Sequence, residues 1–270
     1  MSGVDVLLWQ TFLNQSGLSV GKPDSVFGPH SSAQSAAYQS RVGIFPDGVI
    51  APRTVERARR DGFQPPVING VDTNANCAKF ADGIRTIGME FVVRYYASPL
   101  NKSKILTRKE SLALSSSGLE LVAVFENTAQ LEDFTSESGE QHANDALDCA
   151  KAVAQPGGTA IYFGIDFEVE LHDIHSQITD YFTAVKDVID NDSHRFKIGV
   201  YGSGLTCRTL RDTGLAAFTW TSQSTSFHET ISFCTQANMA QCNPARKICG
   251  TLSVDDNVAL TADFGGFRVT

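Results

Sequence analysis

Two carboxylates set two residues apart, Asp166 and Glu168, close the apolar run Ala160-Ile161-Tyr162-Phe163-Gly164-Ile165-Asp166-Phe167-Glu168. Alternate residues of a strand share a face. Tyr162, Gly164, Asp166 and Glu168 are therefore expected on one side, and Ile161, Phe163, Ile165 and Phe167 on the other, beneath covering helices. A carboxyl pair at the end of a buried strand suits acid–base chemistry, because unlike surroundings can hold one group protonated and the other ionised. Their Cβ atoms would stand roughly 6–7 Å apart, a spacing compatible with retaining or inverting glycoside hydrolysis, the reaction class that needs such a pair.

Apolar strands and amphipathic helices alternate from Val67 onward, which is the pattern of βα units around a parallel sheet. Strands are expected near 67–72, 91–96, 119–126, 160–168, 197–201, 216–222, 230–235 and 253–258. Helices are expected near 77–87, 108–117, 141–155, 174–190 and 205–212. Eight strands in this length predict an α/β fold, a TIM-like (β/α)8 barrel with some helices shortened. A doubly wound sheet is the competing topology, but no glycine-rich phosphate loop follows the first strand.

In a barrel the strand ends converge on one mouth. That groups Asp72, Arg94 with Tyr96, Glu126, Asp166 with Glu168, Tyr201, Trp220, and Asp255 with Asp256. Tyr96, Tyr201 and Trp220 would stack against sugar rings or simply pack in the barrel. Arg94 would bind a substrate carboxylate or pair internally with Asp72 or Glu126. Each acid could instead cap the next helix, Asp72 more readily than Glu168. His172 and His175 read as surface residues, and Ser203 lacks the surroundings of a nucleophile elbow.

The first 63 residues form a separate pattern. Pro23-Asp24-Ser25-Val26-Phe27-Gly28-Pro29 recurs 23 positions later as Pro46-Asp47-Gly48-Val49-Ile50-Ala51-Pro52, each copy a turn followed by a helix-starting proline. Helices are expected over 4–14, 31–41 and 53–61, giving a small three-helix domain at 1–63, a stiff linker at 64–66 (Gln64-Pro65-Pro66), and the barrel at 67–270. With Trp9-Gln10-Thr11-Phe12-Leu13-Asn14, the two copies resemble the type 1 peptidoglycan-binding domain; Ser25 and Ala51 stand where that pattern has glycine.

Five segments of the larger part carry a second resemblance: Gly70-Val71-Asp72-Thr73, Phe91-Val92-Val93-Arg94-Tyr95-Tyr96, Leu106-Thr107-Arg108-Lys109-Glu110, Ile161 to Glu168, and Ile198-Gly199-Val200-Tyr201-Gly202-Ser203. Together they resemble the glycoside-hydrolase-like family known as domain of unknown function 1906, related to the family 25 lysozymes. Val254-Asp255-Asp256-Asn257 is similar to the Val-Asp-Leu-Asn ending of the latter. The resemblance implies Glu168 as proton donor, Asp166 or Asp72 as stabiliser of the oxocarbenium-like transition state or orienter of the attacking group, and Asp255 as a further site acid. It implies a muramidase-like enzyme acting on peptidoglycan glycan strands without a metal or organic cofactor.

Composition narrows the alternatives. Charged residues at 19% and hydrophobic residues at 42% fit an ordinary globular chain without a membrane span. Residues 1–66 hold six Lys or Arg against five Asp or Glu, leaving 16 against 25 for the rest, an acidic surface that disfavours nucleic acid. The six cysteines include Cys234, Cys242 and Cys249, a cluster that admits one disulfide or buried thiols and has no zinc-type spacing. The first residues lack a signal-peptide pattern, so action outside the cytoplasm would need another export route or a signal already removed. No feature identifies a delivery or immunity partner. A non-catalytic wall-binding protein keeping the groove, a hydrolase of another polysaccharide and a metal-dependent amidase are the rival expectations.

Overall fold

The computed structural model describes residues 4–63, 68–98 and 104–270. The chain divides into two units, Met1–Val67 and Ile68–Thr270; the expected linker at 64–66 lies outside the described residues.

The first unit contains α1 (Val4–Gln15), α2 (Pro29–Arg41) and α3 (Pro52–Arg60). Trp9, Phe12, Tyr38 and Phe63 pack as its core, and Trp9 Nε1 donates to Ser35 Oγ at 2.8 Å. The sequence repeat is a structural one. Gln10 Oε1 accepts from the Asp24 and Ser25 N–H groups, while its Nε2 donates to Asp24 Oδ1, Val26 O and Ser31 Oγ. Gln39 does the same for the second turn, accepting from Gly48 N–H and donating to Asp47 Oδ1, Val49 O and Thr54 Oγ1. Ser25 and Gly48 hold the equivalent left-handed position, φ 64° and 70°. There a serine meets backbone strain that glycine avoids.

The second unit is a closed barrel in sequence order: β1 (Ile68–Asp72), β2 (Phe91–Tyr96), β3 (Glu120–Phe125), β4 (Ala160–Gly164), β5 (Lys197–Gly202), β6 (Phe218–Thr221), β7 (Met239–Ile248) and β8 (Leu252–Ala259). Neighbours from β1 through β7 are parallel, and β8 runs antiparallel to both β7 and β1. The outer layer contains α4 (Ala81–Thr86), α5 (Arg108–Ser116), α6 (Ser136–Val153), α7 (Leu171–Asp173), which continues through a π turn at Ile174–Ile178 into α8 (Thr179–Asn191), α9 (Gly204–Asp212) and α10 (Thr230–Phe233). The α/β barrel with shortened helices, preceded by small helices, is the architecture expected above.

One strand was misplaced. Residues 230–235, read as strand from their Thr, Ile and Phe content, form α10 and a 3-10 turn at Cys234–Gln236; the seventh strand is Met239–Ile248. A short apolar run does not separate strand from helix, and Gln241, Arg246 and Lys247 hide the true strand behind loop-like polarity. No disulfide joins Cys234, Cys242 and Cys249 to one another.

Strand residues alternate between two cores. Phe91, Val93, Val122, Val124, Tyr162, Tyr201, Trp220 and Met239 fill the barrel interior. Val92, Tyr96, Leu121, Phe125, Ile161, Phe163, Ile165, Ile198 and Val200 face the helices. Gly199 is required by this filling: a Cβ there would lie 2.4 Å from the Tyr162 ring.

Candidate active site

A cavity of about 450 Å³ opens at the carboxyl ends of the parallel strands, lined among others by Tyr95, Glu126, Asp166, Tyr201, Trp220, Gln241 and Asp255. Each reaches it by local geometry. Asp166 lies two residues beyond Gly164 and keeps the inward parity of Tyr162 and Gly164. Glu126 follows the last residue of β3, with Cγ 3.3 Å from where a Gly164 Cβ would stand, so glycine leaves room for it. Asp255 is on the strand that runs the opposite way. Its register partner is Asp72, so the early part of β8, not its end, meets the mouth.

Asp72 lies at the end of β1, 3% exposed. Oδ2 accepts from Gln241 Nε2 at 2.9 Å and Asn257 Nδ2 at 2.7 Å, and Oδ1 stands 3.5 Å from the Tyr95 hydroxyl. Burial pushes its pKa up to about 7, against the two amide hydrogen bonds, with the charges of Asp255 and Glu126 adding to the rise. Asp255 is also raised, first by burial and then by Asp256 and Asp166, while Gln223 opposes the rise. Mutual repulsion among carboxylates in a poorly solvated mouth is the physical basis for keeping one of them neutral.

This has a measurable consequence for stability. Asp72 binds its proton more tightly in the folded chain, so its contribution is complete below 3.8 and is lost as pH rises through about 7. Asn can accept both amides at its oxygen and never ionises. Asp72→Asn is expected to be about 2–4 kcal/mol more stable than the parent at pH 8 and nearly equal at pH 4, by urea denaturation; equal stability at both pH values would refute the buried-acid account.

Two expected binding residues do not reach the cavity. Arg94 and Tyr96 share the outward parity of Val92 and are fully buried. Arg94 pairs neither with Asp72 nor with Glu126 but with Glu110, Nε to Oε1 at 2.8 Å, and its Nη1 donates to Thr73 O at 2.5 Å. Tyr96 donates to Gln155 Oε1. The inward residue is Tyr95, missed because β2 is largely buried on both faces and its parity is not legible. Tyr201 and Trp220 do line the cavity, yet are 6% and 2% exposed, so they form its floor rather than open platforms. Among the described residues, Lys104 is a cation beside the acids: its Nζ is 3.0 Å from Glu126 Oε1 and lies over the Tyr95 ring.

Glu168 stands apart from the lining. Its Oε2 accepts from the His228 backbone N–H at 2.9 Å, and its Oε1 is buried without a hydrogen-bond partner among the described residues. The segment holding it, which includes Ser222, Gln223, Ser224 and Phe227 of the cavity wall, is further fastened by His228 Nε2 to Glu170 at 3.4 Å. Gln241 and Asn257 were also missed. The signal for Asn257 was present: it follows Asp255 by two residues in a strand and so shares its face.

Known proteins give this geometry a family. The crystal structure of the Mycobacterium tuberculosis Tat-secreted protein Rv2525c in complex with L-tartrate superposes with a TM-score of 0.63 at 23% identity, covering 74% of this chain and 98% of that one. The muramidase from Trichobolus zukalii shares the fold at a TM-score of 0.50 and 12% identity, over 73% of this chain and 95% of its own. The uncharacterized protein YbfG of Bacillus subtilis (strain 168) is 25% identical over 168 residues, 58% of this chain and 23% of that protein, so the chain spans about a quarter of that relative's length. Residues 82–259 match the family model described as Rv2525c-like, glycoside hydrolase-like domain, and the chain belongs to that family.

Proposed function

We propose that the barrel hydrolyses the glycan strand of peptidoglycan, between N-acetylmuramic acid and N-acetylglucosamine. The observation that carries this reading is the cavity at the strand ends, with Asp166, Glu126 and Asp255 in its wall and Asp72 beneath it. Glu168 is the proton donor on this reading: its Oε1 has no hydrogen-bond partner among the described residues, and release of Oε2 from the His228 N–H would let the carboxyl turn toward the cavity and a leaving-group oxygen. Asp166, the exposed carboxylate of the cavity, stabilises the oxocarbenium-like transition state. Tyr201 and Trp220 shape the sugar pocket.

The N-terminal unit, on this reading, holds the wall and raises the local concentration of substrate. Val26 and Val49, equivalent residues of the repeated turns, are 56% and 59% exposed, and Phe45 beside the second turn is 80% exposed. Such apolar side chains on fixed turns suit contact with sugar faces. The Tat-secreted M. tuberculosis relative supports action outside the cytoplasm. Among the described residues, no helix is long and apolar enough to cross a membrane.

A non-catalytic wall-binding protein is the second reading, favoured by the hold that His228 has on Glu168 outside the cavity lining. Mass spectrometry of material released from purified peptidoglycan separates the two. Disaccharide-peptides with a reducing muramic-acid end are expected; saturable binding with no soluble product would overturn the enzymatic reading.

A further inference from the structure

Behind the cavity floor, five side chains from β1, β5, β6, β7 and β8 form one hydrogen-bonded chain. Trp220 Nε1 donates to Asn257 Oδ1 at 2.9 Å, and Asn257 Nδ2 donates to Asp72 Oδ2 at 2.7 Å. From the other side, Tyr201 donates its hydroxyl proton to Gln241 Oε1 at 2.8 Å, and Gln241 Nε2 donates to the same Asp72 Oδ2 at 2.9 Å. An indole N–H can only donate. The carbonyl end of Asn257 must therefore face Trp220 and its NH2 end must face Asp72; turning the amide over would set donor against donor.

This polarity decides more than orientation. With two N–H groups converging on Oδ2, a proton on that oxygen would be forced against them, so a neutral Asp72 has room for its proton on Oδ1. That oxygen faces the hydroxyl of Tyr95, a cavity residue, at 3.5 Å, the outer limit of a hydrogen bond. We propose that Trp220, Asn257, Tyr201 and Gln241 are positioning residues that hold the Asp72 proton on Oδ1, making this carboxyl a hydrogen-bond donor to a substrate oxygen rather than a fixed negative charge. The proposal rests on the glycan-hydrolase reading for the substrate it serves, and leaves the charge-stabilising role to Asp166. The pKa of about 7 agrees with an Asp72 that carries its proton below neutral pH. The titratable groups acting on it are Glu126 after β3, Asp255 on β8, Tyr95 on β2 and Tyr201 on β5.

The test is NMR titration of the full chain without substrate, following the Asp72 carboxyl carbon together with the side-chain amide protons of Asn257 and Gln241. If Oδ2 accepts in both protonation states, the amide protons stay slow to exchange with solvent on either side of the carboxyl midpoint. Trp220→Phe removes the indole donor and lets the Asn257 amide turn its oxygen to a neutral Asp72. The midpoint then rises, up to about tenfold in proton affinity, and the Asn257 amide loses protection below it. Tyr201→Phe, a smaller change, does the same for Gln241. Loss of amide protection in the parent on protonation, or an unchanged titration in Tyr201→Phe and any folded Trp220→Phe protein, would overturn the proposal. Failure to cleave glycan with these resonances behaving as expected would sink only the hydrolase reading.

Discussion

On the proposed glycan-hydrolase reading, Glu168→Gln is expected to release soluble fragments from peptidoglycan about 10²–10⁴-fold more slowly than the parent, the range that a positioned general acid contributes. Glutamine preserves side-chain length and can still accept from the His228 N–H that now holds Oε2. It cannot transfer a proton to the glycosidic oxygen. The wall binding proposed for the N-terminal unit should be unchanged, so pelleting with insoluble peptidoglycan serves as the control. The cost in stability is at most about 1–3 kcal/mol, because one buried, unpartnered oxygen becomes an unpartnered amide nitrogen. Undiminished product from Glu168→Gln would move the acid role to Asp72 beneath the cavity, whose pKa burial pushes up to about 7.

The largest loss of stability is expected from a pair that touches no substrate. Arg94 and Glu110 are both fully buried, and Glu110 also accepts from the Cys77 N–H at 2.9 Å and Asn76 Nδ2 at 3.1 Å. Arg94→Leu leaves Glu110 as an uncompensated buried charge, which costs about 3–5 kcal/mol. It also removes the Arg94 bond to Thr73 O, next to Asp72, and so loosens the end of β1. Replacing both partners by leucine should recover only part of the loss, since no charge is stranded but the Cys77 N–H and Thr73 O lose their side-chain partners. Urea denaturation of both variants checks this. A cost below about 1 kcal/mol for Arg94→Leu would mean that the pair is solvated.

Legibility followed parity. In residues 160–168 the alternation was readable, and Tyr162 faces inward while Ile161, Phe163 and Ile165 face the helices, as expected. Asp166 keeps the rule for one step beyond β4; Glu168 lies four residues beyond Gly164, where no ladder enforces it. In β2 both faces are buried, and Val, Arg and Tyr gave no hint that Tyr95 rather than Arg94 and Tyr96 looks into the barrel. The Leu106 to Glu110 segment resembled the family without showing why. Its Glu110 is the counterion of Arg94, a long-range partnership that spacing cannot reveal. The N-terminal repeat was visible as its turns, but its cause lay upstream in two aromatic–glutamine pairs, Trp9-Gln10 and Tyr38-Gln39, whose glutamines tie those turns down.

The reversed eighth strand also sets a clock on the ribosome. Asp72 leaves the ribosome before its two amide donors, which follow 169 and 185 residues later. Until β8 pairs with β1 there is no ring, no cavity floor and no partner for the buried carboxyl. Folding during translation can assemble the α-helices and parallel strands progressively, as local contacts form before distant ones. The nascent barrel thus has no finished site until β8 closes the ring.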